Sequence, residues 1–171
     1  MTNLKNFIRE IPDFPKKGIS YKDITPLLQD PKAMDFAVDL FIQKLNNQPI
    51  DIVVGIESRG FFFAALLAQK LNAGFVPVRK KGKLPAETLS EKYDLEYGID
   101  VLEIHKDAIS KGENVLVHDD VLATGGTARA ACSLVERLGG NVVQCNFLVE
   151  LSFLNGRQQL SRFPVASLVE Y

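Results

Sequence analysis

Apolar residues in this chain follow two rhythms. Nearly continuous, β-branched runs occupy Ile50–Ile56, Phe75–Val78, Val101–Ile104, Val115–Val117 and Val142–Val149. Such runs predict strands buried on both faces, as in a parallel sheet. Between them the spacing turns helical. Asp30-Pro31 reads as an N-cap followed by a first-turn proline, opening a helix towards Leu45. Gly60–Asn72 predicts a second helix, closed by Gly74, and Ala128–Leu138 a third. Leu4, Phe7, Ile8 and Ile11 recur at helical spacing until Pro12, and Ser167–Val169 predicts a late edge strand. Strand–helix–strand units in this order predict an α/β fold, a mostly parallel sheet with helices on both faces. No repeat or linker divides residues 1–171, so one domain is expected. Only Lys80 to Gly98 breaks the rhythm, a polar and charged stretch too long for a plain connector and expected to be a lid.

The chemistry concentrates at Val115–Thr127, Val-Leu-Val-His-Asp-Asp-Val-Leu-Ala-Thr-Gly-Gly-Thr. An apolar strand is expected to end at two adjacent carboxylates, Asp119 and Asp120. Ala123, Thr124, Gly125, Gly126 and Thr127 then form a small-residue loop before a helix. Ligands of open α/β sheets bind at the carboxyl ends of strands. Glycines let backbone N–H groups approach a phosphate, and the helix N-terminus adds partial positive charge. Two acids beside a bare phosphate would repel it. They make sense if the ligand also carries hydroxyls or a metal ion, so the segment asks for a sugar phosphate.

This pattern resembles the phosphoribosyl pyrophosphate (PRPP) signature of type I phosphoribosyltransferases, which usually carries an aliphatic residue where His118 stands. The resemblance covers almost the whole chain. It implies the type I phosphoribosyltransferase fold, with a small N-terminal hood over about residues 1–30 and a lid over about 80–98.

Four further segments gain meaning beside it. Gly55-Ile56-Glu57-Ser58-Arg59-Gly60 follows a core strand on the same sheet edge. Ser58 could be a helix cap, but a cation at a helix mouth is disfavoured unless an anion bridges it, so Ser58 and Arg59 read as diphosphate-binding. In the resembled family this turn carries a cis peptide, which would here join Glu57 and Ser58. The cations Arg79, Lys80, Lys81 and Lys83 crowd the turn after the next strand. The resemblance implies that Arg79, Lys80 and Lys83 reach the diphosphate, some of them across a dimer interface. Gly82-Lys83-Leu84-Pro85 and Leu95-Glu96-Tyr97-Gly98 resemble the adenine enzymes of the family. There the residue matching Glu96 handles a proton of the purine, and Tyr97 lies beside it. A carboxylate desolvated under a lid suits that task. Phe14 to Ile24 resembles the adenine-binding hood, with Ser20, Tyr21 and Lys22 as base contacts. The family usually has Phe and Arg where Tyr21 and Lys22 stand.

Composition narrows the classes. Formal net charge is -1 over 171 residues, against broad nucleic-acid binding. The longest apolar run, Phe61–Ala68, is too short to span a membrane. Cys132 and Cys145 have no metal-type spacing and are expected to be buried free thiols, with the cytoplasm as the compartment. The implied reaction converts adenine and PRPP into AMP and diphosphate, with Mg²⁺ carried by the PRPP diphosphate and no protein metal site, in a homodimer. A 6-oxopurine or orotate enzyme with the same PRPP site, or a PRPP-sensing regulator, is the alternative. The adenine-type hood and lid motifs disfavour the first. The second lacks both spare length and positive charge for a nucleic-acid module.

Overall fold

Burial of the apolar runs on both faces of one sheet organises the computed structural model, which describes residues 3–94 and 99–171. A 3₁₀ turn (Leu4–Phe7) leads into β1 (Arg9–Ile11) and β2 (Tyr21–Asp23), an antiparallel pair standing apart from the main sheet. After α1 (Thr25–Leu28) and α2 (Pro31–Lys44) come β3 (Ile52–Ile56), α3 (Gly60–Leu71) and β4 (Gly74–Lys80). β5 (Thr88–Asp94), β6 (Ile99–His105), β7 (Asn114–Leu122), α4 (Gly126–Arg137), β8 (Asn141–Glu150) and β9 (Val165–Glu170) follow. Two short 3₁₀ segments, Ser152–Leu154 and Gly156–Leu160, connect β8 to β9.

The seven strands lie in the order β5-β6-β4-β3-β7-β8-β9. β4, β3, β7, β8 and β9 are mutually parallel, and β6 and β5 add antiparallel at one edge. Consecutive strand residues point to opposite faces, and the core divides accordingly. Val54, Val117 and Phe147 pack beneath α4, whereas Val53, Leu116 and Leu148 pack beneath α2 and α3. The chain runs from β3 outward to β4, then returns to place β7 on the other flank of β3. That reversal opens a crevice at the carboxyl ends of β3 and β7.

Several expectations change. The N-terminal apolar spacing yields one 3₁₀ turn rather than a helix. Leu4 and Ile8 sink into the core against α2, and Arg9–Ile11 is captured by pairing with Tyr21–Asp23. Gly74 does not close α3. Asn72 does so in the left-handed conformation (φ 53°), and Gly74 opens β4. The stretch from Lys80 to Gly98 contains a strand, β5, paired with β6 along its whole length. Its alternation is real but polar. Leu89 and Tyr93 pack on the core, while Ser90 and Lys92 face outward. Nor do the paired acids end their strand, since β7 continues to Leu122. β3 pairs with β7 only as far as Gly55↔His118, so beyond that point β7 keeps β8 as its partner and exposes its other edge. The acids stand where their neighbour has stopped.

Candidate active site

Three distant segments meet in the crevice. Tyr21 comes from the separate two-stranded sheet, Arg59 from the turn between β3 and α3, and Asp120 from β7. Arg59 Nε lies 2.9 Å from Asp120 Oδ2, its Nη1 donates to the Tyr21 hydroxyl, and the guanidinium lies 5.0 Å from the Tyr21 ring centre. Phe14 packs edge-on against the same ring at 5.1 Å. α3 approaches the acids closely because Gly60 has no side chain. A Cβ there would lie 3.0 Å from both Asp119 Oδ1 and the His118 carbonyl.

Burial, and then the charge of Asp120, raise the Asp119 carboxyl well above the usual range. Burial also raises Asp120, which is only 3% exposed, although the Arg59 charge pulls the other way. The free site therefore holds its negative charge at a cost, and a cationic ligand centre would relieve it.

The loop after the acids turns at Gly125 (φ 86°) into α4, whose first turn has no side-chain cap. Its N–H groups face the end of β7 unclaimed by any capping side chain, the arrangement that binds phosphate. Tyr93 of β5 lies against this loop. Burial and the neighbouring Asp100 push its hydroxyl up to about 12, with Asp119 adding to the rise and Thr127 opposing it. Arg137 of α4 fastens the strand through Glu91 at 2.7 Å and the Ser90 carbonyl at 2.9 Å.

The turn after β3 contains the cis peptide Glu57-Ser58 that the resemblance implied. Ser58 is exposed and makes no cap hydrogen bond to α3. Glu57, which the sequence reading passed over, organises the basic turn. Its carboxylate accepts from Arg79 at 3.3 Å and the Lys80 N–H at 3.0 Å, with Lys83 Nζ at 3.9 Å. Burial alone would raise Glu57, but these partners hold it below the usual carboxylate range. Its only signal in the sequence was an acid beside Ser-Arg-Gly facing a later run of four cations.

Not every expected contact joins the site. Lys22 is buried, its Nζ 2.6 Å from Glu10 Oε2 and 3.9 Å from the Tyr171 ring centre, with Ser20 Oγ at 3.1 Å. Alternation along β2 sends Tyr21 to Arg59 and Lys22 to the seam with the last strand. Lys80 pairs with Asp100 at 3.0 Å. Glu96 and Tyr97 lie outside the described residues.

His118, flanking the acids, is fully buried beside Phe41 and Phe63, its Nδ1 2.6 Å from Asn146 Oδ1. Burial drives its pKa down to about 4, against the opposing hydrogen bond that Nδ1–H donates to Asn146 Oδ1. The unfolded chain binds this proton near pH 6.5, whereas the folded one resists it to about pH 4. Stability therefore falls as pH drops through that window, by roughly 2–3 kcal/mol at pH 4.5 from this group. Urea titrations at pH 7 and 4.5 should show a smaller acid loss in the double variant His118→Leu, Asn146→Leu than in the parent. An equal loss would remove His118 as the cause.

A phosphoribosyl transferase domain model matches residues 25–162. The curated adenine phosphoribosyltransferase of Christiangramia forsetii is 68% identical over 168 residues, covering 98% of each chain. That of Flavobacterium johnsoniae is 58% identical, covering 98% of this chain and 99% of its own. A crystal structure of the Thermoanaerobacter pseudethanolicus enzyme superposes with a TM-score of 0.96 at 54% identity, covering 98% of each chain. The Saccharomyces cerevisiae enzyme, solved with adenine and an imino-altritol bisphosphate, gives 0.93 at 46% identity and 96% coverage of each. With a switch-point crevice, paired acids and an uncapped glycine loop, the chain belongs to the phosphoribosyltransferase family. Its fold is the type I fold. Its activity is that of an adenine phosphoribosyltransferase, a pentosyltransferase that makes AMP and diphosphate from adenine and PRPP in purine salvage.

Proposed function

We propose that transfer proceeds by displacement at the anomeric carbon, with the diphosphate and the base held on opposite sides of the ribose. The observation that carries this reading is the Tyr21–Arg59–Asp120 junction, which links the base-binding hood to the sugar-binding acids through one guanidinium. Asp119 and Asp120 bind the ribose hydroxyls and place negative charge near the ring as it becomes cationic. Ala123, Thr124, Gly125, Gly126 and Thr127 hold the 5′-phosphate, and this remote binding positions the reacting carbon. Ser58, Arg79 and Lys83 receive the diphosphate, and Lys80 joins them on leaving its Asp100 partner. Tyr21 stacks on adenine while backbone groups of Ser20 to Lys22 read its edge. Glu96, with Tyr97 beside it, handles the purine proton.

Arg59 Nε lies in an ion pair with Asp120 and Nη1 donates to Tyr21, which leaves Nη2 for an incoming anion among the described contacts. Arg59→Ala should weaken diphosphate binding by about 1.5–3 kcal/mol, roughly 10- to 150-fold, as read by calorimetric titration. Unchanged affinity would remove Arg59 from the leaving-group site.

Mg²⁺ fits this donor set as an ion arriving with PRPP. Among the described residues no cluster of three or more His, Cys, Asp or Glu side chains is disposed to hold a metal, and the crevice offers one acid pair. Bound there, the ion would neutralise charge on the leaving diphosphate, with Asp119 and Asp120 facing it.

A homodimer is the assembly we infer. Phe62 and Phe75 are exposed on α3 and β4, Phe61 packs on Phe75 at 5.8 Å, and the far end of β4 carries Arg79 and Lys80 into the basic turn. Sedimentation as a monomer at micromolar concentration would overturn it. We place the protein in the cytoplasm. Both cysteines are buried free thiols, with Sγ atoms 3.3 Å apart, and among the described residues no helix is long and apolar enough to cross a membrane.

A further inference from the structure

We propose that Gly156 and Arg157, in the segment between β8 and β9, are positioning residues for the phosphate loop, setting its location from behind. The inference rests on the assignment of Ala123 to Thr127 as the 5′-phosphate site.

Two backbones meet here with no side chain between them. A Cβ on Gly156 would lie 2.3 Å from the Ala123 carbonyl oxygen and 3.0 Å from Leu122 Cδ1. A Cβ on Gly125 would lie 2.4 Å from the Gly156 carbonyl oxygen. The two glycines thus permit one shared close approach. Gly125 also has a left-handed backbone (φ 86°), which alone favours glycine, but Gly156 does not. Glycine at 156 is therefore required by contact and by nothing else the backbone demands.

The segment behind the loop is bolted down. Asn155 turns the chain in the left-handed conformation (φ 54°) and delivers Gly156 to the loop. Arg157 then grips Glu150 with both arms of its guanidinium, Nε to Oε1 at 2.6 Å and Nη2 to Oε2 at 2.7 Å. It also donates to the Val165 carbonyl and to Ser167 Oγ, each at 3.0 Å. Glu150 is 5% exposed at the end of β8, and the next residue, Leu151, donates its N–H to the Leu122 carbonyl at 2.9 Å. The fork ties Gly156 to β8 and β9, and the glycine contact passes that position to the loop. Packed backbone atoms compress little, so a displacement on one side must appear on the other. A methyl group at 156 has to push the loop out of place, because the nearest atom it meets, at 2.3 Å, is the backbone carbonyl oxygen of Ala123, whereas the Leu122 side chain at 3.0 Å can give way.

AMP and adenosine differ only in the phosphate the loop would hold, so calorimetric titration of both separates loop position from every other contribution. Gly156→Ala should weaken AMP binding on the order of 10- to 100-fold, as small misplacements of binding groups do, and leave adenosine binding unchanged. In turnover, KM for PRPP should rise while KM for adenine holds. Arg157→Lys keeps the charge but loses the fork, and should shift the AMP-to-adenosine ratio in the same direction by less. It also carries the test if Gly156→Ala fails to fold. A ratio preserved in the folded variants overturns the positioning role. Equal AMP and adenosine affinity in the unaltered protein overturns instead the loop assignment on which it stands.

Discussion

Asp120→Asn should lower kcat/KM for PRPP by about 2–4 kcal/mol of transition-state stabilisation, between roughly 30- and 1,000-fold. The substitution keeps the shape of the side chain and removes the charge proposed to face the developing ring cation. The environment makes that charge effective, since Asp120 is nearly fully buried and water screens little of its field. The free protein should not weaken to match. Burial already raises the Asp120 carboxyl against its Arg59 partner, so its charge is disfavoured on balance and a neutral amide relieves that. The sign follows directly. A carboxyl raised on folding contributes most below its unfolded value and loses that contribution as pH rises. At neutral pH the thermal midpoint of Asp120→Asn should hold or rise while turnover collapses. Unchanged kcat/KM would sink the electrostatic role, and a large fall in midpoint would recast the residue as structural.

The second large effect lies in base choice. Adenine presents an N6 donor beside an N1 acceptor, whereas hypoxanthine presents an O6 acceptor beside an N1–H donor. Backbone groups from Ser20 to Lys22 can complement only one of these patterns. The wrong base leaves buried polar groups unpaired, which supports discrimination on the order of 10⁴–10⁵ in kcat/KM. Lys22 cannot be the reader with its side chain, because that side chain is committed to Glu10 and to the Tyr171 ring. Lys22→Ala should therefore slow turnover by loosening the hood and leave the preferred base unchanged. Comparing adenine with hypoxanthine in both proteins tests the two statements together. Similar values for the two bases in the unaltered protein would break the backbone reading, and a switched preference in Lys22→Ala would return the role to the side chain.

The parts legible in the sequence are those dictated locally. Continuous apolar runs gave five strands of the sheet, and Asp30, whose side chain accepts from the Ala33 N–H, marked the start of α2 as its cap chemistry requires. The acid pair and the glycine loop were visible because phosphate and sugar chemistry leaves few alternatives for that pattern. What stayed hidden depends on partners far along the chain. Thr88–Asp94 is a strand because β6 pairs with it and because Leu89 and Tyr93 find the core, not because its own residues favour burial. The direction of the Lys22 side chain was hidden, since only its alternation with Tyr21 on a short strand turns it to Glu10 and the Tyr171 ring. Glu57 looked like any solvated acid until the basic turn folded back onto it. Gly156 carried no signal at all, since a glycine needed for backbone contact is indistinguishable in sequence from one in an open turn.

Among the described residues, the backbones of the hood strands β1 and β2 pair only with each other, not with the seven-stranded sheet. Their joints to the body among the described residues include the Arg59 contact to Tyr21, the Tyr171 ring beside Lys5 and Lys22, the Lys5 bond to the Glu170 carbonyl, and the anchoring of Leu4 and Ile8 in the core. On the proposed assignment, the region that chooses the base is thus mechanically separate from the region that activates the sugar. If the proposed assignment holds, exchanging this cap would change the nucleobase recovered and leave the strand ends proposed to bind PRPP as they are. Erosion of the cap alone would leave a receptor for activated ribose with nothing to join it to.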